Sequence, residues 1–295
     1  MKSKRPDSLR PARHKTEPAC KMTKLPSGTM DRRVLAGVAI LGAILGGLLY
    51  FGIRQNSGDQ LRRPDLLIMS SIPLQWGEAN MAQIAKGETE PSPLFDALVE
   101  QNRPIVIDDF QKLGSPGKTP LLMIQPRALA PRELVQLDDW VRKGGTAIIF
   151  ADPALDWPSE RPLGDQRRPL FTSLLNPLFR HWGVELALPV AERDNTDVRT
   201  TAGNYALSLK SPGILLRPKN AKATARCTIR KDEFMAYCDV EKGRALIIAD
   251  VDMLHESRWT SGILSSGTLD WLHNIVNVAH ETGTFPDDLW ENEGK

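Results

Sequence analysis

Cysteine is scarce in this chain. Only Cys20, Cys227 and Cys238 occur in 295 residues, too few for a disulfide scaffold, and no Cys-x-x-Cys pair suggests zinc. The Gly-x-x-x-x-Gly-Lys-Ser/Thr phosphate loop is also missing, so any ATP hydrolysis connected with this protein belongs to a partner. Ser70 and Ser71 invite a nucleophile reading, but no Gly-x-Ser-x-Gly elbow surrounds them. Net charge is only +2, so the chain as a whole is not a polyanion binder by charge. Neither a nucleic-acid partner nor a cofactor is expected. What remains, 41% hydrophobic and 25% charged residues, is ordinary for a globular protein.

The charge is uneven, however. The first 33 residues carry ten Lys or Arg against Asp7, Glu17 and Asp31, which leaves the remainder net acidic. This stretch lacks hydrophobic periodicity and reads as a disordered basic tail. Residues 34–53 follow with no charge among 20 positions, the length needed to cross a bilayer. Basic flanks stay in the cytoplasm, so an uncleaved anchor in a bacterial inner membrane is expected, with the C-terminal domain in the periplasm. Arg54, Arg62 and Arg63 beyond the span weaken that bias without reversing it. A cleaved signal peptide is the rival reading, strengthened if translation starts at Met30. Gly42 and Gly46 form a Gly-x-x-x-Gly pair through which two such helices could approach and make a homo-oligomer.

After a polar linker at 54–64, residues 65–282 read as one α/β domain, and 283–295 as a loosely attached tail. Its centre is residues 120–155. The apolar run 121–124 fits a buried strand; Pro131 suits a first helical position; Leu134, Leu137 and Val141 recur at helical spacing, with Trp140 on the flank; Gly144-Gly145 stops the helix; and 146–150 is a second buried strand. Strand, helix, strand makes a βαβ crossover and therefore a parallel sheet covered by helices. Further strands are expected at 65–71, 104–107, 184–188 and 244–251, with weak ones at 205–209 and 213–216. Helices are expected from Pro93, at 170–182 and at 265–281. Residues 223–230 and 234–240 read as a hairpin turning at Asp232-Glu233, a register that sets Cys227 opposite Cys238. The expected fold class is α/β: an open, mainly parallel sheet flanked by helices, with this antiparallel hairpin as an appendage.

Strand C-terminal ends are where open α/β sheets bind ligands. Asp108, Asp109, Asp152, Asp250 and Asp252 all fall there, and His255 follows closely. Convergence of these groups could hold a divalent cation. The competing reading is that they cap helices or hold loop amides, with Asp152 beside Pro153 the best structural candidate. For Cys227 and Cys238, a cross-strand disulfide and two buried thiols are both open. Arg127, Arg161, Arg167 and Arg168 could form an anion site or ion pairs with nearby acids. His181-Trp182, ending a helix, suits packing or capping.

The stretch containing Arg142, Lys143, Gly144, Gly145, Asp152 and Pro153 resembles the GldG-like auxiliary proteins of ABC transport systems. These are related to domains of unknown function with a class I glutamine-amidotransferase-like, flavodoxin-like fold. GRALIIADVDML, residues 243–254, resembles a later strand of the same domain, and the likeness spans roughly residues 65–280. It implies an accessory module partnered by transporter subunits that bring their own ATPase. Amidotransferases need a cysteine at a strand-to-helix elbow, which here is Gln125-Pro126-Arg127. With no cysteine there, no catalytic residue is expected. An anchored hydrolase using the acidic cluster and a ligand-binding sensor remain the alternatives.

Overall fold

The computed structural model describes residues 63–189, 197–219, 222–259 and 267–290. The expected tail, span and nearly all of the linker, Gly42 and Gly46 included, lie outside the described residues. Among those that are described, no helix is long and apolar enough to cross a membrane.

Seven strands form the central sheet in the order β2-β1-β3-β4-β11-β10-β9. They are β1 (Asp65–Ser70), β2 (Arg103–Val106), β3 (Leu121–Ile124), β4 (Thr146–Phe150), β9 (Arg226–Ile229), β10 (Met235–Val240) and β11 (Gly243–Ile248). The first five in spatial order are parallel, and β11-β10-β9 run antiparallel. The parallel part has the 2-1-3-4-5 winding of a flavodoxin-like sheet. The hairpin is thus not an appendage: β10 and β9 continue the sheet, because the tight turn after Val240 pairs it directly with Gly243.

Alternate strand residues face opposite layers. Leu122, Ile124, Ile148, Phe150, Leu246 and Ile248 share one core with Leu94 and Leu98 of α2 (Pro93–Gln101) and with Trp271, Ile275 and Val276 of α5 (Thr268–Thr282). Leu121, Met123, Ala147, Ile149, Ala245 and Ile247 share the other with Leu137, Trp140 and Val141 of α3 (Pro131–Arg142) and with Leu178, Phe179 and Trp182 of α4 (Asn176–Trp182). Smaller pairs, β5 (Glu185–Ala187) with β8 (Ile214–Leu216) and β6 (Asp197–Ala202) with β7 (Tyr205–Lys210), lie outside this sheet.

The β3–α3–β4 crossover forms as the periodicity predicts. Pro131 opens α3 and the Glu133 carboxylate reaches back to the Ala130 amide at 2.8 Å. Gly144 adopts φ +114°, which glycine takes without strain. Three elements differ from expectation. The helix placed at 170–182 begins only at Asn176, since Pro177 lacks an N–H and is tolerated only in a first turn. Helix α1 (Met81–Lys86) and strand β6 were not expected. Asn80 and Gln83 form a capping box that is readable in the sequence and marks α1.

Candidate functional site

The crossover delivers its elbow at Gln125. This residue has φ +40°, the left-handed backbone a nucleophile elbow requires, but its side chain turns inward and is completely buried. The side-chain nitrogen donates to the carbonyls of Asp152 (3.1 Å) and Leu170 (2.9 Å), and its oxygen accepts the Asp152 amide (2.9 Å). Ser71 donates its hydroxyl to the Gln125 carbonyl, and Ser70 closes a local turn onto Ile72. The elbow geometry is therefore used to fasten the ends of β1, β3 and β4 together.

Adjacent strands bring the acids together. Ile248 pairs with Phe150, so Asp250 and Asp152 leave β11 and β4 in step. Asp252 joins them, and ligand-capable oxygens of the three lie within 4.8 Å of one another. Asp152 accepts the amides of Ala154 (2.7 Å) and Val251 (3.0 Å). Asp250 accepts those of Lys210 (2.7 Å) and Met253 (3.0 Å), and Asp252 that of Asp156 (2.9 Å). Five of the six carboxylate oxygens thus hold main chain. Burial is the largest influence on all three: it pushes Asp152 up to about 7 and Asp252 to about 6, and raises Asp250 well above the usual carboxylate range. Neighbouring carboxylates push in the same direction, and the accepted amides pull back.

His255 stands beside this cluster. With Asp252, Lys210 and Arg258 it lines a small polar cavity of about 80 Å³. Its ring sits edge-on to Trp157, with Nδ1 2.9 Å from the Ser257 hydroxyl, and burial lowers its pKa. Asp108 and Asp109 do not join. They follow β2, three strand steps from β4 and so about 14 Å away at normal sheet spacing. Asp109 caps a 3-10 turn through the Gln111 amide, and Asp108 is exposed.

The arginines serve the loops. Arg127 pairs with Glu133 at 2.6 Å and draws that carboxyl down to about 2. Arg161 donates to the Glu78 carbonyl, Arg167 pairs with Asp165, and Arg168 reaches the Arg161 carbonyl and stacks over Phe171. Glu78 also accepts the Glu160 amide and the Ser159 hydroxyl, binding the loop after β1 to the loop after β4. Trp182 is buried and donates to Asp138 at 2.6 Å, locking α4 to α3. His181, half exposed, lies 3.5 Å from the same carboxylate. Sequence reasoning missed Gln125 as a structural clamp, Lys210 and Glu78. A buried amide at an elbow where catalysis needs a thiol is a readable sign of the first; the other two come from distant loops and leave none.

Cys227 and Cys238 face each other in the β9–β10 register and form a disulfide. On the same face of the sheet Gly243 packs against α3; a Cβ there would fall 1.9 Å from the Val141 carbonyl oxygen.

No curated protein matches the sequence. Solved structures with a similar arrangement include the mmIFT52 N-terminal domain, at TM-score 0.44 and 12% identity over 75% of this chain and 98% of that one. The exo-beta-1,4-mannosidase Op5Man5 from Opitutaceae bacterium strain TAV5 matches at TM-score 0.42 and 14% identity over 72% of this chain, which spans only 36% of the enzyme. The beta-galactosidase from Rahnella sp. R3 matches at TM-score 0.39 and 13% identity, over 75% of this chain and 32% of the enzyme. Scores this low carry no argument about activity. Residues 77–206 match the family described as ABC-type uncharacterized transport system, so the resemblance of this chain to the auxiliary domain of such systems holds over that stretch, which includes the Gln125 elbow and Asp152.

Proposed function

We propose that this protein is a membrane-anchored, non-catalytic accessory module of an ABC-type transport system, with its α/β domain outside the cytoplasm. The observation that carries this reading is Gln125. At the one elbow where the related amidotransferase fold would present a nucleophile, a buried amide side chain makes three hydrogen bonds and offers no reactive atom. The family similarity over residues 77–206 supports the association with a transporter.

Two further features support the topology. The uncharged stretch 34–53, preceded by a basic tail, has the length and flank of an anchor with a cytoplasmic N-terminus. The Cys227–Cys238 disulfide suits an oxidising compartment. One span cannot line a transport path, and the chain lacks a phosphate loop, so permease and ATPase subunits are the partners this reading requires.

Protease added outside spheroplasts tests the arrangement. Digestion of the α/β domain, with the first 33 residues protected until lysis, is the expected pattern. Protection of the α/β domain in intact spheroplasts, or release of the whole chain by mild washing, would contradict it.

A further inference from the structure

We propose that Asp152, Asp250 and Asp252 form a proton-held latch, which joins the segments following β4, β7 and β11 and loosens as pH rises. Their carboxylate oxygens lie within 4.8 Å of one another, and none of the three residues is more than 3% exposed. Three carboxylates so close and so poorly solvated cannot all carry charge unless a cation stands among them.

The charged groups facing the cluster are otherwise engaged. Lys210, at the end of β7, pairs with Asp156 of the segment after β4. In the 3-10 turns after β11, Arg258 pairs with Asp197, and His255 turns its ring nitrogens to Ser257 and Glu256. Lys210 and Arg258 draw the Asp252 carboxyl down, but burial outweighs them, and protons shared between the carboxyl groups supply the rest of the balance.

The latch character comes from what the carboxyls hold. Ala154 and Asp156 belong to the segment after β4, Lys210 ends β7, and Val251 and Met253 follow β11; the five amides of these residues all end on the triad. Asp252 reaches the polar cavity that also contains Lys210 and His255, which gives water and protons a route to the cluster. Loss of the shared protons would add charge where it is poorly solvated. Parting the three segments lets water in and relieves that charge.

Hydrogen exchange and urea unfolding of the purified full chain from pH 4 to 9 test this. Corrected for intrinsic exchange, protection of the Ala154, Asp156, Lys210, Val251 and Met253 amides should fall as pH rises from about 4, where exposed carboxyls ionise, through about 6 and 7, the values to which Asp252 and Asp152 are raised. The unfolding constant should rise by up to about tenfold per pH unit for each proton released. Asp250→Asn and Asp252→Asn keep an acceptor oxygen and remove a titrating group, so each should flatten the slope. If Asp250→Asn fails to fold, Asp252→Asn at the cavity wall and the unsubstituted profile still decide the matter. A profile flat from pH 4 to 7, or a slope unchanged by the substitutions, overturns the latch. So does recovery of protection at high pH on adding calcium or magnesium chloride, which would assign the cluster to a cation.

Discussion

Gln125 brackets the main chain of Asp152 from both sides, donating to its carbonyl at 3.1 Å and accepting from its amide at 2.9 Å. One side chain thus closes the end of β3 onto the end of β4 and holds in place the first member of the acidic triad. The same residue stands in left-handed backbone at φ +40°.

Truncating this clamp should be costly. Gln125→Ala removes the acceptor of the buried Asp152 amide and the side-chain donor to the Leu170 carbonyl, while the Asp152 carbonyl keeps the Ser173 amide, and should destabilise the domain by about 2–4 kcal/mol. Gln125→Gly loses the same bonds but relieves the left-handed backbone, and should cost about 1 kcal/mol less than alanine. Urea unfolding of the two variants measures both effects. An alanine variant as stable as the parent would contradict the clamp.

Gly243 admits no side chain. The Cβ of Gly243→Ala would lie 1.9 Å from the Val141 carbonyl oxygen and 2.4 Å from that of Gly145. Both are backbone atoms, so α3 itself must move off β11, at a cost of about 3 kcal/mol or more. Thermal unfolding should show a fall of several degrees or a failure to fold. Lys242→Ala, in the adjoining turn, is the control and should be close to neutral.

The disulfide should account for a measurable share of stability. Cys227 and Cys238 are 11 residues apart. Closing a loop of that size is worth about 2–3 kcal/mol in the chain-entropy account. Replacing both cysteines with alanine should lower the urea midpoint accordingly. Alkylation of the unreduced, denatured chain should leave both cysteines unlabelled; two labelled thiols in the hairpin would refute the bond.

Acid should weaken the start of α3. The Arg127 guanidinium, the largest influence on Glu133, holds that carboxyl at about 2 against an ordinary 4.5. A lowered carboxyl pKa contributes stability that is fully present above the ordinary value and lost as pH falls through the folded one. The contribution should therefore disappear between about pH 4.5 and 2, the reverse of the triad's direction. Glu133→Gln should flatten that acid limb. A Glu133 resonance titrating near 4.5 would show that the pair is not formed.

The crossover was legible because local chemistry decides it: Pro131, the Leu134-Leu137-Val141 stripe and Gly144-Gly145 each act within a few residues. The β9–β10 register was legible for a similar reason, since the pairing of Cys227 with Cys238 follows from a short turn. Strand order was not. Asp108 and Asp109 end a strand just as Asp152 does, but β2 occupies the sheet's edge while β4 and β11 are neighbours. The sequence identifies acids at strand ends without saying which strands touch. Nor could it reveal that amides from Lys210 and Asp156 arrive at the cluster, because those contacts join residues 40 and 96 positions apart. The helix expected from residue 170 shows the opposite failing, apolar spacing read without weighing Pro177.

Affinity capture of the intact chain from membranes tests the central claim most directly. Solubilised in mild detergent and identified by mass spectrometry, the captured material should contain, in constant ratio, a multi-span permease and an ATPase subunit bearing the phosphate loop that this chain lacks. Recovery of the chain alone under conditions that preserve other transporter complexes would contradict an accessory role.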